Sequence, residues 1–214
     1  HAYDSIHDQL AEARRLFIGL GYDEAQGQTL ISDKAAKRVA APETIAPLAY
    51  PLSSDMNVLR PSLLPGLLDS LRHNANRQNT DVALFEIGRV FSLQQDKVKE
   101  ERRLAAALTG RRSSVFWSGS EREARRDIYD LKGALEEWLE QFGIRGVNFA
   151  RRETCTELFI EQADILLGRQ PIGSFGQLSP LLAKEYDVRD AVLLAELNLD
   201  LLLARRNATR SFKP

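Results

Sequence analysis

The stretch 82–91, VALFEIGRVF, constrains the fold more than any other part of this chain. Ten residues dense in β-branched and aromatic side chains, with neither proline nor a charge cluster, predict a strand that must find neighbours to cover it. The nearest is 104–108, LAAAL, closed by Gly110, and the polar run between them, SLQQDKVKEERR at 92–103, reads as an exposed connection. Further strands are predicted at 146–151, 158–167, 172–177 and 191–197, and a short one within 25–32 around Leu30 and Ile31. Helical spacing of apolar residues appears in the opening stretch, where Ile6, Leu10, Ala13, Phe17 and Leu20 form one stripe ended by Gly19 and Gly21. A second helix runs from Ser62 towards Asn76, with Pro61 and Pro65 in or before its first turn, where a missing N–H costs little. Asp127 introduces a third, with Leu131, Leu135, Trp138 and Phe142 on one face and Gly143 at its end, and shorter helices fit 179–186 and 199–203. The segment 33–51, with Pro42, Pro47 and Pro51, reads as loop with some local helix. Strands grouped without regular β-α-β alternation predict an α+β fold with a mostly antiparallel sheet flanked by helices. At 214 residues the whole chain, 1–214, fits a single domain.

Charge and chemistry exclude several functions. Lys plus Arg number 29 against 30 Asp plus Glu, which argues against an autonomous nucleic-acid-binding module needing a basic surplus. The charged stretches 97–103 and 121–126 read as solvated faces. Cys155 is the sole cysteine, so there is no disulfide framework and no multi-cysteine metal site. His1, His7 and His73 are not spaced with acidic residues as metal ligands would be. Gly173 and Gly176 suggest a tight turn, and there is no Gly-rich phosphate loop. No apolar run reaches membrane-spanning length and no secretory leader opens the sequence, so a soluble, cytoplasmic domain is expected.

Five segments in fixed order carry a resemblance. They are YPLSSDMNVLRPSLLPGLL at 50–68, ALFEIGRVF at 83–91, RRLAAALTG at 102–110, DIYDLKGALEEWLEQFGI at 127–144 and IGSFGQLSPLLAKEYDV at 172–188. Together they closely resemble the core domain of the β subunit of bacterial phenylalanyl-tRNA synthetase. The resemblance implies a class II synthetase-like fold that is a non-catalytic relative of the α subunit's catalytic domain. It implies an (αβ)₂ parent enzyme that joins phenylalanine to tRNA(Phe) with ATP and Mg²⁺, neither cofactor being held by this domain. Family β chains are much longer, and the acidic magnesium motif before the core has no counterpart here, so an excised core domain is implied. Two departures from the family pattern, LFIEQADILL in place of a His-Pro-Gly-like segment and Ser179 in place of a histidine, fall on fold elements.

Active class II enzymes grip ATP with a Phe-Arg-x-Glu pattern after a strand, because a guanidinium donates bidentately to phosphate. Here Ser92 stands in the arginine's place and Gln94 in the glutamate's. Where the last class II motif places glycines and an arginine, AELNLDLLL puts Glu196, Asn198 and Leu201. Arg60 and Arg89 read as ion-pair or surface residues. The same resemblance makes the first helix, through Ile6, Leu10, Ala13, Phe17 and Leu20, a candidate interface with the α subunit; covering its own sheet is the alternative. Arg111, Arg112, Arg125 and Arg126 are candidates for tRNA contact. The rival reading is a stand-alone class II-like ligase with an atypical ATP site.

Overall fold

The computed structural model describes residues 5–112 and 123–206. Among the described residues there are nine strands: β1 (Asp23–Glu24), β2 (Leu30–Ile31), β3 (Val58–Leu59), β4 (Val82–Gln94), β5 (Lys97–Thr109), β6 (Val147–Arg151), β7 (Phe159–Leu167), β8 (Gln170–Leu178) and β9 (Val192–Asn198). The helices are α1 (Ser5–Gly19), α2 (Asp33–Ala36), α3 (Leu64–Ala75), α4 (Ile128–Gln141), α5 (Pro180–Glu185) and α6 (Leu199–Arg205). Seven strands form one sheet in the order β1-β4-β5-β9-β8-β7-β6, antiparallel throughout except for the parallel β1–β4 pair, while β2 and β3 form a small separate ladder.

Side chains alternate across a strand, so each face of the sheet collects every second residue. On one face Phe85, Leu104, Ala106, Leu193, Ala195 and Phe175 meet α1, α4 and α6. Phe17 of α1 stacks on Phe85 with ring centroids 5.1 Å apart, and Trp138 of α4 lies 5.4 Å from Phe17 and donates its indole N–H to the Ala13 carbonyl at 3.0 Å. Each such large side chain stabilises the fold by about 1.5–3 kcal/mol on burial. The opposite face carries Leu84, Ala105, Ala107 and Leu194 against Leu67, Leu68 and Leu71 of α3 and Leu182 of α5.

The helix starts have identifiable causes. Asp127 accepts hydrogen bonds from the Tyr129 and Asp130 amides while Asp130 accepts from the Asp127 amide, a reciprocal cap that fixes the start of α4. At its other end the chain reverses through Gly143, whose φ of 88° suits a residue without Cβ.

Three expectations need correction. The run 92–103 is not a connection: β4 and β5 continue through it in unbroken register to Gln94↔Lys97. The turn is only Gln95 and Asp96, both left-handed (φ 50° and 60°), the geometry that matches the twist of a tight hairpin. Ladder hydrogen bonds, not burial, hold this arm, so its polar composition concealed it. Gly173 and Gly176 lie within β8 and not in a turn: a Cβ there would come within 2.3 Å of the Glu196 and Glu161 carbonyl oxygens, so they permit close approach of neighbouring strands. The strand expected within 25–32 shrinks to the two residues of β2, Leu30–Ile31, while β1 ends just before the stretch at Glu24.

Candidate functional site

Helices α3 and α5 cover only part of their face. Beside them the sheet floor stays open as a polar cleft of about 580 Å³, lined by Ser62, Arg103, Arg152, Gln162, Ser174 and Glu196 among others. That volume lies within the range of small-molecule sites, about 300–1,000 Å³. The register explains the convergence: Asp164 pairs with Ser174 and Ser174 with Glu196, a polar row across three adjacent strands, while on the fourth strand Glu196 is paired with Ala105 and Arg103 lies two residues along on the same face, opposite Asn198.

Glu196 organises the wall of this cleft. One carboxylate oxygen accepts from the Leu63 amide at 2.7 Å and the Ser62 hydroxyl at 2.9 Å, and Ser62 in turn accepts from the Leu64 amide. The first free N–H groups of α3 are thereby met from β9, where a carboxylate also opposes the positive end of the helix. The other oxygen faces Arg103 at 3.5 Å. Burial pushes the Glu196 carboxyl above its usual range, against the opposing pull of Arg103 and the Leu63 and Ser62 hydrogen bonds. Arg103 also binds Glu101, which Lys99 and Asn198 engage in turn. Across the floor Arg152 grips Asp164 at 2.7 Å. Each of these guanidinium groups therefore faces a carboxylate of this chain rather than open space.

Of the positions aligned with ATP-gripping residues, Ser92 and Gln94 lie out on the β4–β5 arm opposite Lys99 and Lys97. Asn198 caps α6 through the Leu201 amide, and Leu201 lies on that helix at the cleft margin. Arg60 forms a buried pair with Glu86 at 2.7 Å, the side chains 8% and 3% exposed, and Arg89 pairs with Glu100 at the surface. Arg152 stood out in the sequence only as a strand-end arginine beside Arg151 that could meet phosphate, and it is instead held by Asp164; Arg103 and Asp164 went unnoticed. The alternation of 103, 105 and 107 across the alanine-rich strand was the one signal that put Arg103 on the same face as the core alanines.

The two sets of contact candidates are placed as follows. Ala13 and Phe17 are fully enclosed in the chain's own core, and Leu10 and Leu20 pack against it; Ile6 is half exposed. Those four side chains cover the sheet, and the outward face of α1 shows Ile18 instead, 55% exposed. Among the arginines, Arg111 holds Asp81 through two nitrogens (2.8 and 2.6 Å), Arg112 meets Asp127 and Asp130, and Arg125 meets Asp190 at 2.8 Å. The Arg111 hydrogen bonds hold the Asp81 carboxyl below its usual range. Arg126 donates its amide to Gly110 and has one guanidinium nitrogen buried without a partner among the described residues. Most of the loop between these arginines lies outside the described residues. Cys155 is partly buried with its thiol towards the Ile160 carbonyl, and among the described residues no group of His, Cys, Asp or Glu could hold a metal. No helix there is long and apolar enough to cross a membrane.

Comparison with known proteins accounts for this arrangement. The chain is similar in structure to the pyrrolysyl-tRNA synthetase of Desulfitobacterium hafniense, with TM-scores of 0.72 and 0.74 in two structures at 18% identity, covering 96% of this chain and 70–71% of that one. The architecture is therefore class II synthetase-like. In sequence it is 34% identical over 201 residues to the phenylalanine–tRNA ligase β subunit of Bacillus subtilis, covering 92% of this chain and 25% of the relative. It is 36% identical over 202 residues to that of Geobacillus kaustophilus, with the same coverages. The chain thus spans about a quarter of the length of these relatives. Residues 2–199 match the family described as the phenylalanyl tRNA synthetase beta chain CLM domain, and the chain belongs to that family.

Proposed function

We propose that this chain is the non-catalytic core of a phenylalanine–tRNA ligase β subunit, a scaffold that supports (αβ)₂ assembly. The observation that carries this reading is Glu196: a carboxylate only 12% exposed, tied to α3 and Arg103, occupies the wall where a nucleotide-binding enzyme would need cation and space. Triphosphate binding would have to displace Arg103 from Glu196 and Glu101 and bring negative charge against a carboxylate whose ionised form burial already disfavours. ATP and Mg²⁺ accordingly belong to the parent complex, which acts in the cytoplasm, with the α subunit as partner and tRNA(Phe) as substrate of the whole assembly. The contact with the α subunit runs along the outward flank of α1, with Ile18 and Ile6 as its apolar residues, since Ala13 and Phe17 are committed inward.

Calorimetric titration of the folded domain with Mg-ATP is the test of the scaffold reading. It should give no saturable heat; clear saturation would establish the rival, a stand-alone ligase with an atypical site. Ile18→Asp in the full β chain should weaken association with the α subunit without altering the domain's circular dichroism, and normal assembly would remove the proposed contact.

A further inference from the structure

Of the arginines whose positions in the sequence suggested nucleic-acid contact, Arg111, Arg112 and Arg125 are ion-paired, but another group is not. Arg145 leads into β6, Arg169 sits in the turn between β7 and β8, and Arg205 closes α6. The register brings them to one corner of the sheet. Val147 pairs with Leu167, so Arg145 leaves β6 beside the turn made by Gly168 (φ 63°) and Arg169. Arg205 reaches the same turn by donating to the Gln170 side chain at 3.5 Å. All three side chains are exposed. The neighbouring acids do not neutralise them: Glu12 is engaged by Arg206, which also lies over the Phe142 ring, Glu136 is engaged by Lys132, and among the described residues Glu140, in the last turn of α4 beside Arg145, forms no ion pair with it. A chain of net charge −1 therefore concentrates an unpaired positive corner contributed by three separate elements.

We propose that this corner contacts the phosphate backbone of an RNA helix, the tRNA of the parent assembly. The inference rests on the family reading above and adds the surface. Guanidinium groups held on a tight turn, a strand entry and a helix end can position a phosphate backbone without reading its sequence.

The test uses the assembled αβ enzyme carrying Arg145→Gln, Arg169→Gln and Arg205→Gln together in the full β chain. The KM for tRNA should rise about tenfold near physiological salt, and the slope of log affinity against log salt should fall by about 2–3, one phosphate contact being lost per arginine. Phenylalanine-dependent ATP–pyrophosphate exchange without tRNA should be unchanged, and the ion-paired control Arg125→Gln should leave the KM for tRNA as it was. An unchanged KM and salt slope in the triple variant would overturn the proposal, as would an equal effect of Arg125→Gln. Absence of phenylalanine-dependent exchange in the unaltered assembly would instead overturn the family reading beneath it.

Discussion

The two faces of the central sheet solve opposite problems. One is sealed by α1, α4 and α6 around Phe17, Phe85 and Trp138, with aromatic rings in contact and the Trp138 N–H satisfied by Ala13. The other is sealed in part by α3 and α5 and left open for the rest, where charged residues line the floor and cancel one another in pairs. Apolar contact is non-directional and tolerates many neighbours, so the closed face specifies the fold. Buried charge is costly unless each group has its partner, so the open face can be kept only as a balanced set. A catalytic cleft needs charge left over for its substrate, and pairing within the chain removes that surplus.

Substitutions on each face should reveal the contrast. Trp138→Ala removes the largest fully buried ring and its indole hydrogen bond to the Ala13 carbonyl; it should destabilise by about 5 kcal/mol, measured by urea unfolding. A loss below about 2 kcal/mol would mean that the face can collapse around the gap. Arg60→Met leaves Glu86 as a buried carboxylate without a counter-ion and should cost about 3–4 kcal/mol in the same assay, most of it recovered by the double change with Glu86→Gln. If the double variant were as unstable as the single one, packing around Gly27 and Gly88, and not charge, would explain the cost.

Glu196→Gln should change the shape of the pH profile more than the stability itself. The folded carboxyl lies above its unfolded range, so its contribution is fully present below the unfolded value and is lost as pH rises through the folded one. The glutamine variant, which keeps acceptors for Ser62 and Leu63, should therefore gain on the native chain as pH rises from about 4 to 8 in thermal melts. Parallel profiles would show that Arg103 fully offsets the burial. The smallest effect belongs to the surface: Arg125→Ala, which breaks an exposed pair with Asp190, should shift stability by less than about 1 kcal/mol.

The fold was largely legible because its elements carry local signatures. Asp127 and Gly143 bracket α4, and the β-branched run beginning at Val82 announces β4. The β4–β5 arm was hidden because its turn has no glycine, Asp96 alone being a residue type that favours left-handed backbone, and because its strands bury little. The site was legible only as substitutions. Ser92, Gln94 and Glu196 could be noted as replacements, but the tie from Glu196 to Ser62 and Leu63 joins residues more than 130 positions apart, and no local pattern records it. The interface stripe was ambiguous for a related reason: helical spacing identifies a buried face without saying whether the same chain or another buries it. Ala13 and Phe17 are buried by the same chain.

The hairpin of β4 and β5 also bears on the order of folding. Its thirteen register pairs are closed by two residues, so the first pairs to form need almost no loop closure and each later pair extends an existing ladder. The parallel pairing of β1 with β4 joins Asp23 to Leu84, and β9 reaches β5 only after more than 80 residues of intervening chain. Chain entropy therefore favours the hairpin as the early template, on a timescale of microseconds, with the sheet edges and the charge-paired cleft completed later. Pulsed hydrogen exchange during refolding should find β4 and β5 amides protected ahead of those in β1 and β9, so that the arm the sequence concealed nucleates the sheet.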